Sequence, residues 1–227
     1  NNFYPILCAF GVVPYHTNEW LEKIRKEYPP REIETRYFKT EEEALSVTTA
    51  GKFFDADKLI MHTNRIINPL DKYDALDLRN GVIRIFKPPF PGGRYVLFCD
   101  PSEGKEDPFH IVIAEVFSNE EVANAHGWLP SDEVAVIYDA LCKHYNNPYN
   151  SFMRTGYTGG RFQNALDNFH VANQAYARAT DGTPKEGQYG YWESQPLKKD
   201  LLGNLREAMY SLELIIHDTE TLNEFSP

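Results

Sequence analysis

Two apolar runs constrain what this chain can fold into. Tyr95-Val96-Leu97-Phe98-Cys99 is a continuous apolar stretch that stops at Asp100, and Ile111-Val112-Ile113-Ala114-Glu115-Val116 follows after a short polar turn. Short apolar runs bounded by turn residues are the pattern of strands buried in the middle of a sheet. The spacing therefore predicts two central strands, joined by a turn, with an aspartate at the end of the first. Immediately upstream, Pro88-Pro89-Phe90-Pro91-Gly92-Gly93 interrupts any regular element and is the strongest break in the sequence.

Before that break the pattern is mostly helical. Trp20, Leu21, Ile24 and Tyr28 recur at helical spacing over residues 17–28, and Pro29-Pro30 stops them. Thr40 with Glu43 forms a capping-box pattern ahead of Ala44, Leu45 and Val47, which predicts a second short helix. Asp55 reads as a helix cap, and residues 62–74 read as irregular connector. Asp77 to Phe86 carries Asn80-Gly81 between alternating apolar residues, a hairpin signal because both residues tolerate the positive φ of a type I′ turn.

After the break, Val122 to Leu129 reads as a third strand. Pro130-Ser131-Asp132-Glu133 opens a helix with acids in its first turn and Val134, Ile137, Leu141 and Tyr145 on one face, ending at Asn146-Asn147-Pro148. Residues 149–153 suit a fourth strand, Gly159 to Phe169 a helix, 171–177 a strand, and Arg178 to Gly190 a long polar loop. Pro196 begins a helix with Leu197, Leu201, Leu205, Ala208, Met209 and Leu212 along one stripe, followed by the β-like run Leu212 to His217. The order βββαβαβαβ describes an α/β fold with a ribonuclease H-like mixed sheet and flanking helices, preceded by a small, mostly helical linker segment and a β-hairpin. Many α/β folds share part of that order. The expected division is 1–74 for the linker region and 75–227 for the sheet domain.

Composition narrows the function classes. In 227 residues there are 33 Asp+Glu against 23 Lys+Arg, a net charge of −10, with 42% apolar and 14% aromatic residues. The aromatic content suits a packed core, and charges interrupt every apolar stretch long before a membrane span. A uniformly basic coat is excluded, whereas a local basic groove facing DNA is compatible with a negative remainder. Cys8, Cys99 and Cys142 are widely spaced and lack ligand companions, which supports neither a disulfide framework nor a zinc site. The chain begins at Asn1 and stops at Pro227 just after a strand-like segment, the pattern of a piece cut from a longer chain.

Asp100 is the residue with most chemical potential, because a carboxylate held at a rigid strand end can bind a hard divalent cation. The following turn adds Glu103, Glu106 and Asp107, although any solvated turn recruits such residues. No Gly-x4-Gly-Lys-Ser/Thr loop is present, so no ATP site of that kind is expected. The seven histidines never form His-Glu-x-x-His. Arg154, Arg161 and Lys198 are the basic residues best placed for phosphate contacts. Tyr189, Tyr191 and Trp192 are suited either to stacking on bases or to packing at a loop-to-helix junction.

Taken together these segments resemble the large terminase subunit of tailed bacteriophages, from the end of its motor through most of its nuclease domain. Tyr37 to Leu45 with Gly51-Lys52-Phe53-Phe54-Asp55 is similar to the segment between motor and nuclease in that family. Tyr95 to Gly104, YVLFCDPSEG, resembles the first nuclease strand with its metal-binding aspartate. Tyr189-Gly190-Tyr191-Trp192, the helix Lys198 to Met209 and the run Leu214 to Phe225 resemble the late helix and strand.

The resemblance implies a metal-dependent endonuclease that cuts concatemeric double-stranded DNA during packaging. It would use Mg²⁺ or Mn²⁺, with two ions about 4 Å apart, Asp100 as catalytic residue and metal ligand, and Asp107 as an auxiliary ligand. The implied partners are double-stranded DNA, the phage portal protein and the small terminase subunit, with no membrane. The implied place is the cytoplasm of the infected bacterial host and, transiently, the procapsid portal. Two departures accompany it. The second acid of the family falls at Met153, and a thioether does not replace a carboxylate for Mg²⁺; the third would lie beyond Pro227. Met153 keeps a second reading open, a catalytically inactive ribonuclease H-like module for DNA binding or portal docking.

Overall fold

The computed structural model describes residues 17–27, 53–73, 81–105, 107–154, 156–178, 183–192 and 194–225. The helix expected over 40–47 and the hairpin arm expected over 77–79 lie outside them. The elements are α1 (Asn18–Glu27), α2 (Ala56–Thr63), β1 (Asp71–Tyr73), β2 (Gly81–Ile85), β3 (Tyr95–Asp100), β4 (Phe109–Glu115), β5 (Glu120–Gly127) and α3 (Ser131–His144). They continue with β6 (Tyr149–Phe152), α4 (Gly156–Asp167), β7 (Tyr176–Arg178), β8 (Pro184–Tyr189), α5 (Gln195–Tyr210) and α6 (Thr219–Glu224).

Six strands form one mixed sheet in the order β1-β2-β5-β4-β3-β6. β3, β4 and β5 make an antiparallel meander, and β6 lies parallel to β3. A parallel neighbour requires a long crossover, which α3 supplies. This is the α/β mixed sheet expected from the sequence. Alternation along the strands turns Tyr95, Leu97, Cys99, Phe109, Ile111, Ile113, Ala123 and Ala125 to one face, all buried. There they meet Val134, Ile137, Tyr138 and Leu141 of α3, Phe152 of β6, and Phe162 and Leu166 of α4. Tyr138 reaches through this layer to donate to Asn150 Oδ1 at 2.8 Å, so its buried hydroxyl is satisfied.

The opposite face is more open. Val96 and Tyr149 are exposed, and with Phe98, Val112, Ala114 and Ser151 they line an apolar depression of about 220 Å³.

A second, smaller core joins α2 to the C-terminal helices. Leu59 of α2, Met209 of α5 and Leu222 of α6 are buried together, with Phe54, Ile66, Leu205, Leu214, Ile216 and Phe225 around them. Asp55 caps α2 through the Lys58 N–H at 3.0 Å. His62 Nε2 donates to the Met209 carbonyl at 2.9 Å, and Arg65 donates to the carbonyls of Leu212 and Leu214 at 2.9 and 3.0 Å. Helix α2, on the N-terminal side of the expected boundary at 74, therefore shares its core with the C-terminal helices.

The segment after α5 is also tied to the sheet. Ile215 exchanges backbone hydrogen bonds with the Asn119–Glu121 stretch, accepting from Glu121 and donating to Asn119. His217 is buried with Nε2 2.7 Å from Glu120 Oε1 and Nδ1 3.1 Å from the Arg65 carbonyl oxygen. Glu121 accepts the N–H groups of His217 and Asp218 at 2.7 and 3.0 Å, while Arg84 reaches Asp218 and Glu220 at 3.0 and 3.1 Å. Burial pushes the Glu121 carboxyl above its ordinary pKa, against the opposing effect of those two backbone donors.

Three expectations need correction. The stretch expected as a loop over 178–190 contains β8, which pairs antiparallel with β7; all its side chains but Tyr189 are exposed, so no apolar alternation marks it. Residues 62–74, expected as irregular, contain β1, paired with β2. The β-like run over 212–217 makes a single bridge, Ile215 with Glu120, rather than a strand. Among the described residues no helix is long and apolar enough to cross a membrane.

Two outcomes follow from this packing. Cys99 and Cys142 are fully buried, and burial pushes both thiols up, Cys142 to about 12 with Asp139 adding to the effect. Alkylation at pH 8 read by peptide mass spectrometry should leave both unmodified in the native protein and modify both in urea. His217→Ala should cost about 1–3 kcal/mol of stability, because it leaves buried Glu120 Oε1 without its partner while Lys87 still holds Oε2 at 2.6 Å; a denaturant midpoint equal to wild type would contradict the role given to this contact.

Candidate active site at the end of the central strand

The sheet register brings together residues that lie far apart in sequence. Asp100 pairs with His110 across β3 and β4, and His110 pairs with His126 across β4 and β5. On the other side, Cys99 pairs with Phe152, and the Met153 N–H donates to the Cys99 carbonyl at 2.8 Å, which carries the parallel register one residue further. Met153, Asp100, His110 and His126 thus form a row across the open face. Asp100 is exposed and its three neighbours are half-buried.

The turn after Asp100 is held by the layer beneath it. Ser131 Oγ donates to the Ser102 carbonyl at 3.0 Å and to Glu103 at 3.1 Å. Gly104 has φ +68, and a Cβ there would sit 2.8 Å from the Leu129 carbonyl carbon, so only glycine fits this approach. Glu103 pairs with Arg161 at 2.8 Å, and the same guanidinium reaches Asp132 at 2.9 Å. Glu103 is thereby joined to α3 and α4. Asp107 is exposed near the start of β4.

The basic residues singled out from sequence are spread around this end of the sheet. Arg154 follows β6 directly, its N–H donating to the Tyr191 carbonyl at 2.7 Å and its guanidinium to the Tyr189 carbonyl at 3.1 Å. Arg161 is the α4 residue in the carboxylate bridge just described, and Lys198 stands exposed in the first turn of α5.

His110 and His126 were not singled out by sequence reasoning. His110 lies near the start of β4 and His126 near the end of β5, and the two become a pair only once the register is known. His126 Nε2 lies 2.7 Å from Glu220 Oε2, at an angle that makes no hydrogen bond. Burial lowers the His110 pKa below the usual histidine value; Asp218 and Glu224 oppose this, and His126 and Arg84 reinforce it.

A divalent metal needs several hard donors at one point. Asp100 supplies one, but Met153 beside it is a soft thioether, and among the described residues no three His, Cys, Asp or Glu side chains are placed to hold a metal ion. The described residues alone do not fit a two-metal site.

No protein-family model matches the chain, and no curated protein matches it. Solved structures do. The large terminase nuclease from thermophilic phage G20c superposes with TM-score 0.53 at 13% identity, covering 74% of this chain and 79% of that one. The same nuclease with bound magnesium gives TM-score 0.53 at 15% identity, with 74% and 78% covered. The large terminase nuclease domain of Thermus phage P74-26 gives TM-score 0.51 at 14% identity, with 74% and 76% covered. The fold is that of the large terminase nucleases. Within this terminase-nuclease fold, the roles of individual residues rest on the geometry of this chain.

The lowered pKa of His110 has a pH consequence. A histidine whose folded pKa is depressed contributes stability that is present above its unfolded value, about 6.5, and lost as pH falls through the folded value. The melting temperature should drop as pH is lowered below about 6.5, and His110→Gln should remove part of that slope. Parallel melting curves for the two proteins across that range would contradict the assignment.

Proposed function

We propose that this chain is the nuclease part of a phage large terminase, together with a stretch of the linker toward the motor. Its substrate is concatemeric double-stranded DNA, and its reaction is phosphodiester hydrolysis supported by Mg²⁺ or Mn²⁺. The observation that carries this reading is Asp100, an exposed carboxylate at the end of β3 in a terminase-nuclease fold. Magnesium is bound in one of the structurally similar nucleases, which supports the choice of a hard divalent ion. In this reading Asp100 and Asp107 offer oxygen ligands, and further hard donors are needed beyond the described residues. Arg154 and Lys198 contribute positive charge toward the phosphate backbone, which positions DNA without specifying sequence, whereas Arg161 is engaged by Glu103 and Asp132. Portal protein and small terminase subunit are the proposed protein partners, in the cytoplasm of the infected host and at the procapsid portal.

Met153 favours a second reading, in which the module binds DNA or docks on the portal without cutting. One experiment separates the two. The full gene product and its Asp100→Ala variant are incubated with supercoiled plasmid and Mn²⁺, with DNA binding measured in parallel. Nicking by wild type that is lost in the variant supports the nuclease. Binding without nicking by the folded wild type supports the DNA-binding form of the second reading, and neither binding nor nicking contradicts the nuclease and the DNA-binding form alike, leaving portal docking.

A further inference from the structure

We propose that the donor set around Asp100 selects a borderline transition-metal ion, of the cobalt or zinc class, over magnesium, with His110 as the second protein ligand. The proposal rests on the reading of Asp100 as a metal-binding residue and changes which ion that residue takes. Its starting point is the mismatch between the strand-end row and a hard cation. Magnesium dehydrates reluctantly and takes oxygen donors, so a site for it should gather carboxylates. Glu103, in the turn that follows Asp100, is drawn away instead: it accepts from Ser131 Oγ at 3.1 Å and pairs with Arg161 at 2.8 Å. What the sheet sets on either side of Asp100 is nitrogen and sulfur. His110 lies opposite it on β4, and Met153 stands beside it at the end of β6.

The strand register lets Asp100 and His110 converge. Residues directly opposite each other on antiparallel strands have Cβ atoms about 4.5–5.5 Å apart. The pair before them, Cys99 with Ile111, is buried in the main core, so alternation turns Asp100 and His110 together to the other face. Metal–oxygen and metal–nitrogen bonds of about 2.0–2.2 Å allow a carboxylate and an imidazole on such a pair to meet at one ion. Further along the same two strands this face is apolar, with Phe98 paired to Val112 and Val96 to Ala114. Donor side chains therefore begin only at the strand end, where the row continues from His110 to His126.

Donor chemistry decides the class of ion. Imidazole suits zinc and its transition-metal neighbours, whereas carboxylate, carbonyl and water suit magnesium. A thioether on the other side of Asp100 adds nothing for magnesium and is tolerated by a softer ion. Among the described residues no third His, Cys, Asp or Glu completes the set. Asp100 and His110 thus supply two positions, and water or, with DNA bound, phosphate oxygens take the others.

The test is equilibrium dialysis of the full gene product against Co²⁺ or Mg²⁺, without DNA or nucleotide, with the visible spectrum of bound cobalt as a second readout. Subtracting the Asp100→Ala variant removes ions held elsewhere on the molecule. The Asp100-dependent site should bind Co²⁺ more tightly than Mg²⁺. His110→Ala should weaken Co²⁺ binding at least about ten-fold, the low end of the loss when even an outer partner of a metal ligand is removed. It should also alter the cobalt spectrum and leave Mg²⁺ binding unchanged. His110→Asp, which puts a carboxylate in place of the imidazole, should shift the preference toward Mg²⁺, a gain that misfolding does not produce. Co²⁺ affinity unchanged in His110→Ala, or Mg²⁺ bound as tightly as Co²⁺ by wild type, would overturn the proposal. Absence of any ion binding that depends on Asp100 would overturn the metal reading of Asp100 with it. Cobalt bound through both residues by a wild type that nicks no plasmid would uphold the proposal and remove the nuclease reading alone.

Discussion

The parallel pairing of β3 with β6 is the constraint on which the architecture depends. An antiparallel meander can close with tight turns, but a parallel neighbour forces the chain to cross the sheet. That crossing is α3, whose buried face covers Leu97, Cys99, Ile111 and Ile113. The same pairing brings the end of β6 beside the end of β3, and with it Arg154, the first turn of α4 and the Tyr191 backbone. Core and candidate site are thus two consequences of one strand pairing.

A second constraint acts from the other edge. The buried contacts of Glu120 and Glu121 with His217 and Asp218 join positions almost a hundred residues apart in the chain. Burial alone pushes Glu120 up, yet hydrogen bonds from Lys87 and His217, with their charges, hold its carboxyl below the ordinary value. Carboxylates taken out of water in this way are tolerated because each meets a donor. The result is that α2, α5 and α6 form a small core of their own, fixed to the sheet through polar groups rather than through a continuous apolar layer.

How much of this was legible in the sequence depended on whether a residue's role was local. β3 and β4 were legible because buried central strands write apolar runs, and α3 because acids open it and an apolar stripe follows. Asp100 was legible for the same reason, as the residue that ends the first run. β8 was not, since Pro184 to Tyr189 bury almost nothing and leave no period to read. α6 is only six residues long, too short for helical periodicity, and its Asp218 cap looks like any acidic residue. His110 and His126 became neighbours of Asp100 only through register, which no single segment encodes. Met153 was placed beside Asp100 by resemblance, and the strand pairing puts it there physically.

Asp100 is the proposed metal-binding residue of this fold, with the thioether of Met153 at its side. The most direct measurement is a crystal structure of the full gene product soaked with Mn²⁺, with anomalous scattering used to locate the ion. An anomalous peak in coordination contact with the Asp100 carboxylate is expected, with the remaining oxygen ligands coming from residues other than Met153. Manganese bound elsewhere, with Asp100 bare and facing solvent, would contradict it.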